Sequence, residues 1–150
     1  MLKKVVDFFT GTKEVTVYHT TSAGNGKRIL EEGFRVYDRR PALYGRGVYA
    51  WEREEDAHTY GQACDPTDNR LFPKGYDVVA ARVRLNKRNS ATYDSSEVCD
   101  PDQPHQANAL TDYCRSQGIE ALEIPNPLIE RTTHRKARGK AYCFLHPPTH

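Results

Sequence analysis

From Glu14 to His19 the chain reads EVTVYH, alternating polar and apolar with β-branched side chains between, and this period of two predicts a strand. The following TTSAGNGKRILEEGF changes period. Ala23, Ile29 and Leu30 turn inward at helical spacing, Thr21 or Ser22 supplies a hydroxyl cap, and Gly33 ends the helix. A loop with proline and arginines leads to GVYAW, a short apolar run expected as a buried strand. EREEDAHTYG follows as a helix whose acidic first turn complements the positive end of the backbone dipole.

Further on, DVVAARVRL places Val79, Ala81, Val83 and Leu85 on one face and Arg82 and Arg84 on the other, the signature of a half-exposed strand. A polar stretch from Asp94 to Asp102 precedes ANALTDYCRSQG, expected as a helix burying Ala109, Leu110, Tyr113 and Cys114 before a Gly118 cap. EALEI and KAYCFL are the last two strands, separated by the basic loop ERTTHRKARGK. Strands near both ends with few helices between them predict an α+β fold rather than a doubly wound parallel sheet. With 150 residues, one domain over 1–150 is expected, with residues 1–13 as an N-terminal arm.

Charge narrows the picture little, because 22 basic residues face 20 acidic ones; attraction to nucleic acid or to a membrane must then be local. Five cations between Arg131 and Lys140, with His134 and no acid, form such a local patch. It suits a nucleic acid or an acidic protein surface, although a solvated loop would look the same. Cys64, Cys99, Cys114 and Cys143 are widely spaced with no C-x-x-C pair, which suits free thiols and a cytoplasmic setting. No apolar run reaches the roughly twenty residues of a membrane helix, and MLKKVVDFF lacks the features of a signal peptide.

Three nucleotide or metal motifs fail on inspection. AGNGKR lacks the first glycine and the final hydroxyl of a phosphate loop, since Thr21 and Arg28 occupy those places. GRGVYA has no third glycine and opens no βαβ unit. HPPTH, from His146 to His150, has two prolines that break any helical face and no second ligand pair nearby, so no metal is expected.

Three separate segments do fit together. VYHTT on a strand, then ILEEGFRV with its Gly-Phe-Arg after the first helix, and YGRGVYA followed eleven residues after Tyr49 by Tyr60 resemble the donor-binding half of the ADP-ribosyltransferases. The resemblance is to the diphtheria-toxin-like branch that includes the poly(ADP-ribose) polymerases, and particularly to its small stand-alone virus-induced members. It covers Val17 to Tyr60 and is loose after Asp77. It implies the fold of that family: a split β-sandwich of two small mixed or antiparallel sheets with flanking helices.

The resemblance further implies that NAD+ is the substrate, bound without a metal, and that ADP-ribose passes to a protein or nucleic acid, in the protein's own cytoplasm or in that of a target cell. His19 would bond a ribose hydroxyl, Thr20 would meet the carboxamide through its backbone, and Thr21 would reach the adenosine ribose. Arg35 would lie near the diphosphate, while Gly47 and Ala50 flank Tyr49 in the donor wall. Tyr49 and Tyr60 would clamp the nicotinamide ring, with Gly45 and Gly47 giving the backbone room beside it. Thr20 stands where the family carries glycine, and its side chain is expected to narrow that end of the pocket. Ala141 stands where the family carries a catalytic glutamate, which implies transfer of a single ADP-ribose or loss of turnover. Glu120, Glu123 and Glu130 are the candidate carboxylates to replace it, with Glu130 the preferred one. The alternatives are a degenerate NAD or ADP-ribose-binding or interaction module, and an RNA 2'-phosphotransferase of the same fold whose additional Arg and His motif is not evident.

Overall fold

The computed structural model describes residues 2–6, 13–34, 47–63, 70–85, 88–93, 104–130 and 135–145. Among these residues nine strands run in chain order as β1 (Leu2–Val6), β2 (Lys13–Ser22), β3 (Val48–Trp51), β4 (Tyr76–Leu85), β5 (Ser90–Thr92), β6 (Ala121–Ile124), β7 (Leu128–Glu130), β8 (Arg135–Lys136) and β9 (Ala141–Phe144). The helices are α1 (Asn25–Glu32), α2 (Glu54–Gly61) and α3 (Pro104–Ser116). Seven strands form one mixed sheet in the order β1-β4-β2-β3-β9-β6-β5, and β7 pairs with β8 in a second, two-stranded sheet. The architecture is α+β, as the order of strand and helix patterns predicts.

The alternation read from β4 holds in three dimensions. Val79, Ala81, Val83 and Leu85 are buried, while Arg82 and Arg84 are exposed. Both arginines lie within 4 Å of the Glu14 carboxylate on the neighbouring strand β2, at 3.6 and 3.7 Å. Strand residues sort into two apolar clusters. One joins Val17, Val48, Ala50, Val79, Tyr142 and Phe144 to Ile29 of α1. The other joins Trp51, Leu122, Ala141 and Cys143 to Ala57 of α2 and Cys114 of α3. Residues of β3 alternate between these clusters, which places α1 over one face of the sheet and α2 with α3 over the other.

Four expectations about the elements are corrected. Residues 2–6 are a strand parallel to β4, Leu2 opposite Val79 and Val6 opposite Val83, so the expected arm contributes an edge to the sheet. Thr21 and Ser22 extend β2 instead of capping α1; the helix starts after Gly24, which has a positive φ of 87°, and the Asp77 carboxylate on β4 accepts from Gly24 N and Gly26 N. A carboxylate from a distant strand thus satisfies amides that a local hydroxyl was expected to bind. Tyr113 is 64% exposed and Ala109 is exposed, because α3 turns Leu110 and Cys114 to the sheet. Part of the basic loop is structured, with Arg135 and Lys136 in β8 opposite Glu130 and Leu128.

The expected pair of separate sheets is one continuous sheet with a narrow point. Ten residues of β2 are in register with β4, whereas Tyr18 opposite Trp51 is the one registered pair between β2 and β3. Two strand groups, β1-β4-β2 and β3-β9-β6-β5, therefore meet at a thin junction.

Candidate functional site

The described parts of the segments that carry the resemblance meet at that junction through His19, Phe34 and Tyr49. His19 sits on β2, half-buried, and its Nδ1 lies 2.5 Å from the main-chain oxygen of Tyr49 on β3. A carbonyl oxygen only accepts, so Nδ1 bears the proton of this bond; in the neutral form of the imidazole the acceptor lone pair is then on Nε2. The ring of Phe34, two residues past α1, meets the imidazole edge to face at 5.3 Å between centroids. An aromatic contact and a hydrogen bond together fix the ring in one orientation.

Thr20 and Thr21 are both 4% exposed. The Thr20 hydroxyl donates to the Ala57 carbonyl oxygen at 2.7 Å, fastening β2 to the middle of α2. Its hydroxyl is thereby engaged by the helix. The Thr21 oxygen accepts from Asn25 Nδ2 at 2.6 Å, and Asn25 Oδ1 accepts from Arg28 Nε at 2.5 Å. Thr21 thus belongs to a polar chain that anchors the first turn of α1.

Tyr49 and Tyr60 are half-buried and pack against the same cluster, on the face covered by α2 and α3. The Tyr60 ring lies 5.5 Å from Trp51 and 5.9 Å from Phe72, centroid to centroid. Gly47 has a different use from the one expected of it. A Cβ there would fall 2.5 Å from Phe144 O and 2.8 Å from Cys143 Sγ, so the absent side chain admits β9 rather than a ligand ring. Ala50 is buried in the opposite cluster, opposite Tyr142. Arg35 and Gly45 lie outside the described residues.

Ala141 begins β9 and is 1% exposed, registered against Trp51 on one side and Ile124 on the other. Trp51 was missed by sequence reasoning. No local signal marked it, because its partner Ala141 is set by the β3–β9 register and lies far along the chain. Of the three candidate carboxylates, Glu123 is engaged by the Lys140 ammonium and stands opposite Tyr142, on the other face of the sheet from Ala141. Glu120 precedes β6, where its main-chain oxygen accepts from Leu145 N at 2.9 Å. Glu130 lies on β7, its backbone in register with Arg135.

The carboxylates beside β9 shape local protonation. The hydrogen bond and charge of Glu123 raise Lys140 above the usual lysine range, with a smaller contribution from Glu52. Burial, together with Glu123 and Glu52, pushes Tyr142 up to about 12. Burial also raises the Cys114 thiol.

On the far side of α2, Glu55, Asp56 and Thr59 face Ile129, Arg135, Lys136 and Arg138 across a cavity of about 160 Å³. Arg138 lies 3.4 Å from Glu55, and Lys140 is held by Glu123, so among the described residues of the basic segment Arg138 and Lys140 are paired. Residues 131–134, Cys64, Cys99 and the HPPTH histidines lie outside the described residues. Among the described residues no three His, Cys, Asp or Glu side chains are grouped to hold a metal ion, and no helix is long and apolar enough to cross a membrane. No family model, curated protein or solved structure matches this chain.

Proposed function

We propose that this protein is a mono-ADP-ribosyltransferase that takes NAD+ as donor. The observation that carries the reading is the His19–Tyr49 hydrogen bond, which joins two of the resembling motifs at the thin junction of the sheet. A donor seated there would split the family fold into its two halves, β1-β4-β2 and β3-β9-β6-β5. Nε2 of His19, in the tautomer set by Tyr49, is the acceptor that a ribose hydroxyl requires.

In the reaction the bond between nicotinamide and the ribose anomeric carbon breaks, and the electron pair leaves with nicotinamide. A nucleophile of the acceptor bonds to that carbon and gives up its proton, through a transition state with oxocarbenium character. Ala141 supplies no carboxylate to hold an elongating acceptor, which favours one transfer per site. A cytoplasmic setting, its own or a target cell's, would supply the donor.

A second reading has its own observation. Trp51 lies beside Tyr60 and stands opposite the buried Ala141, so the position where the resemblance places a carboxylate is apolar and closed to solvent. This favours a module of the same fold that binds NAD+ or ADP-ribose, or a macromolecule, without turnover. Incubation with radiolabelled NAD+ and a lysate of protein and nucleic acid decides between the two. Label on an acceptor with release of nicotinamide supports the transferase; calorimetric NAD+ binding without either supports the module. A protein that neither binds nor cleaves NAD+ overturns both.

A further inference from the structure

Asp56 is a charged side chain at 4% exposure, on the first turn of α2 and facing away from solvent. Both of its carboxylate oxygens are used. Oδ1 accepts from Arg138 N at 3.0 Å and Oδ2 accepts from Gly139 N at 2.9 Å. Two consecutive backbone amides on one carboxylate form a bidentate clasp in which the anion has two charge-assisted bonds. The next residue, Ala57, accepts the Thr20 hydroxyl. Adjacent residues of α2 thus grip the turn after β8 on one side and β2, which carries His19, on the other.

Other contacts reinforce the clasp. Arg138 lies 3.4 Å from Glu55, and a Cβ on Gly139 would fall 2.7 Å from Arg53 Cγ, so the turn lies close against the start of the helix. Lys140 O accepts from Glu52 N at 2.9 Å. The basic segment from Arg135 to Lys140 is therefore fastened along residues 52–56, just ahead of Tyr60.

We propose that Asp56 is a positioning residue that locks this basic segment onto α2, so that an acceptor held by Arg135 and Lys136 is presented at a fixed place relative to the His19–Tyr49 junction. The consequence for transfer rests on the transferase reading; the lock itself does not. Asp56→Asn is the informative variant. It keeps one oxygen acceptor and turns an NH2 group toward the second amide, so one bond is lost and a donor meets a donor.

Three measurements test the proposal. In the wild-type protein, hydrogen exchange at the Arg138 and Gly139 amides should be at least 100-fold slower than in an unstructured chain; exchange at the unstructured rate overturns the lock without any variant. In Asp56→Asn, trypsin cleavage after Arg138 should rise at least tenfold while the thermal transition stays cooperative, and unchanged cleavage in the folded variant also overturns it. With NAD+, Asp56→Asn should keep nicotinamide release within about twofold and lower the ratio of transfer to hydrolysis at least fivefold. If cleavage rises and that ratio is unchanged, the positioning role is overturned. If neither protein releases nicotinamide, the transferase reading fails, and the exchange and cleavage results decide the lock alone.

Discussion

Trp51 and Ala141 are direct partners in the β3–β9 ladder, both at most 5% exposed and both in the apolar cluster that also takes Ala57 of α2. The pair sets the largest aromatic beside one of the smallest side chains on one rung, and the Tyr60 ring lies 5.5 Å from the indole, centroid to centroid.

Placing a glutamate at position 141 is therefore expected to harm the protein before it helps any chemistry. Ala141→Glu would bring a carboxylate and two methylenes against the indole in a site without solvent, at a cost of about 3 kcal/mol or more. Trp51→Ala in the same chain should recover part of that loss. A double-mutant cycle by urea denaturation measures the coupling, and additive effects would show that the two positions do not share space.

Gly47→Ala should destabilise by about 2 kcal/mol through overpacking, since its Cβ would meet the Phe144 carbonyl oxygen and Cys143 Sγ inside van der Waals contact. Cys143→Ala clears one of these obstacles and leaves the carbonyl, so it should rescue only part of the loss in the same denaturation assay.

At alkaline pH the β9 region should weaken first. Tyr142 is raised from 10.0 to about 12, and Lys140 is raised from 10.5, so in both cases the folded protein holds its proton more tightly than the unfolded chain. Their contribution is complete below pH 10 and is lost as pH climbs toward 12. Tyr142→Phe should flatten the decline in melting temperature over that window; an unchanged slope would place the titrating group elsewhere.

Cys114 and Cys143 are buried and in no disulfide, and burial raises Cys114 further from the reactive thiolate. Alkylation by iodoacetamide, followed by peptide mapping, should leave both unlabelled in the native protein and label both in urea. Native labelling at Cys143 would mean that the β3–β9 ladder opens.

Periodicity was enough to find β2, β3, β4, β9 and α2, because alternation along a strand and the spacing of a helical face are properties of a few adjacent residues. It failed where the deciding contact was remote. Leu2–Val6 is a strand because β4 offers it an edge, and β8 exists because Glu130 and Leu128 stand opposite Arg135 and Lys136. Tyr113 fits a helical stripe in sequence, yet the sheet beneath α3 takes Leu110 and Cys114 and leaves that ring in water.

The same division runs through the site. The sequence alone determined which residue types stand near one another along the chain: a strand histidine, a glycine-flanked tyrosine, and a second tyrosine one helix later. Tertiary structure alone decided that His19 is oriented by the Tyr49 carbonyl, that Trp51 lies beside Tyr60, and that Asp56 holds amides 82 and 83 positions away. A backbone amide carries no residue identity, so its partner is chosen only when the folded chain brings one buried carboxylate within reach of it.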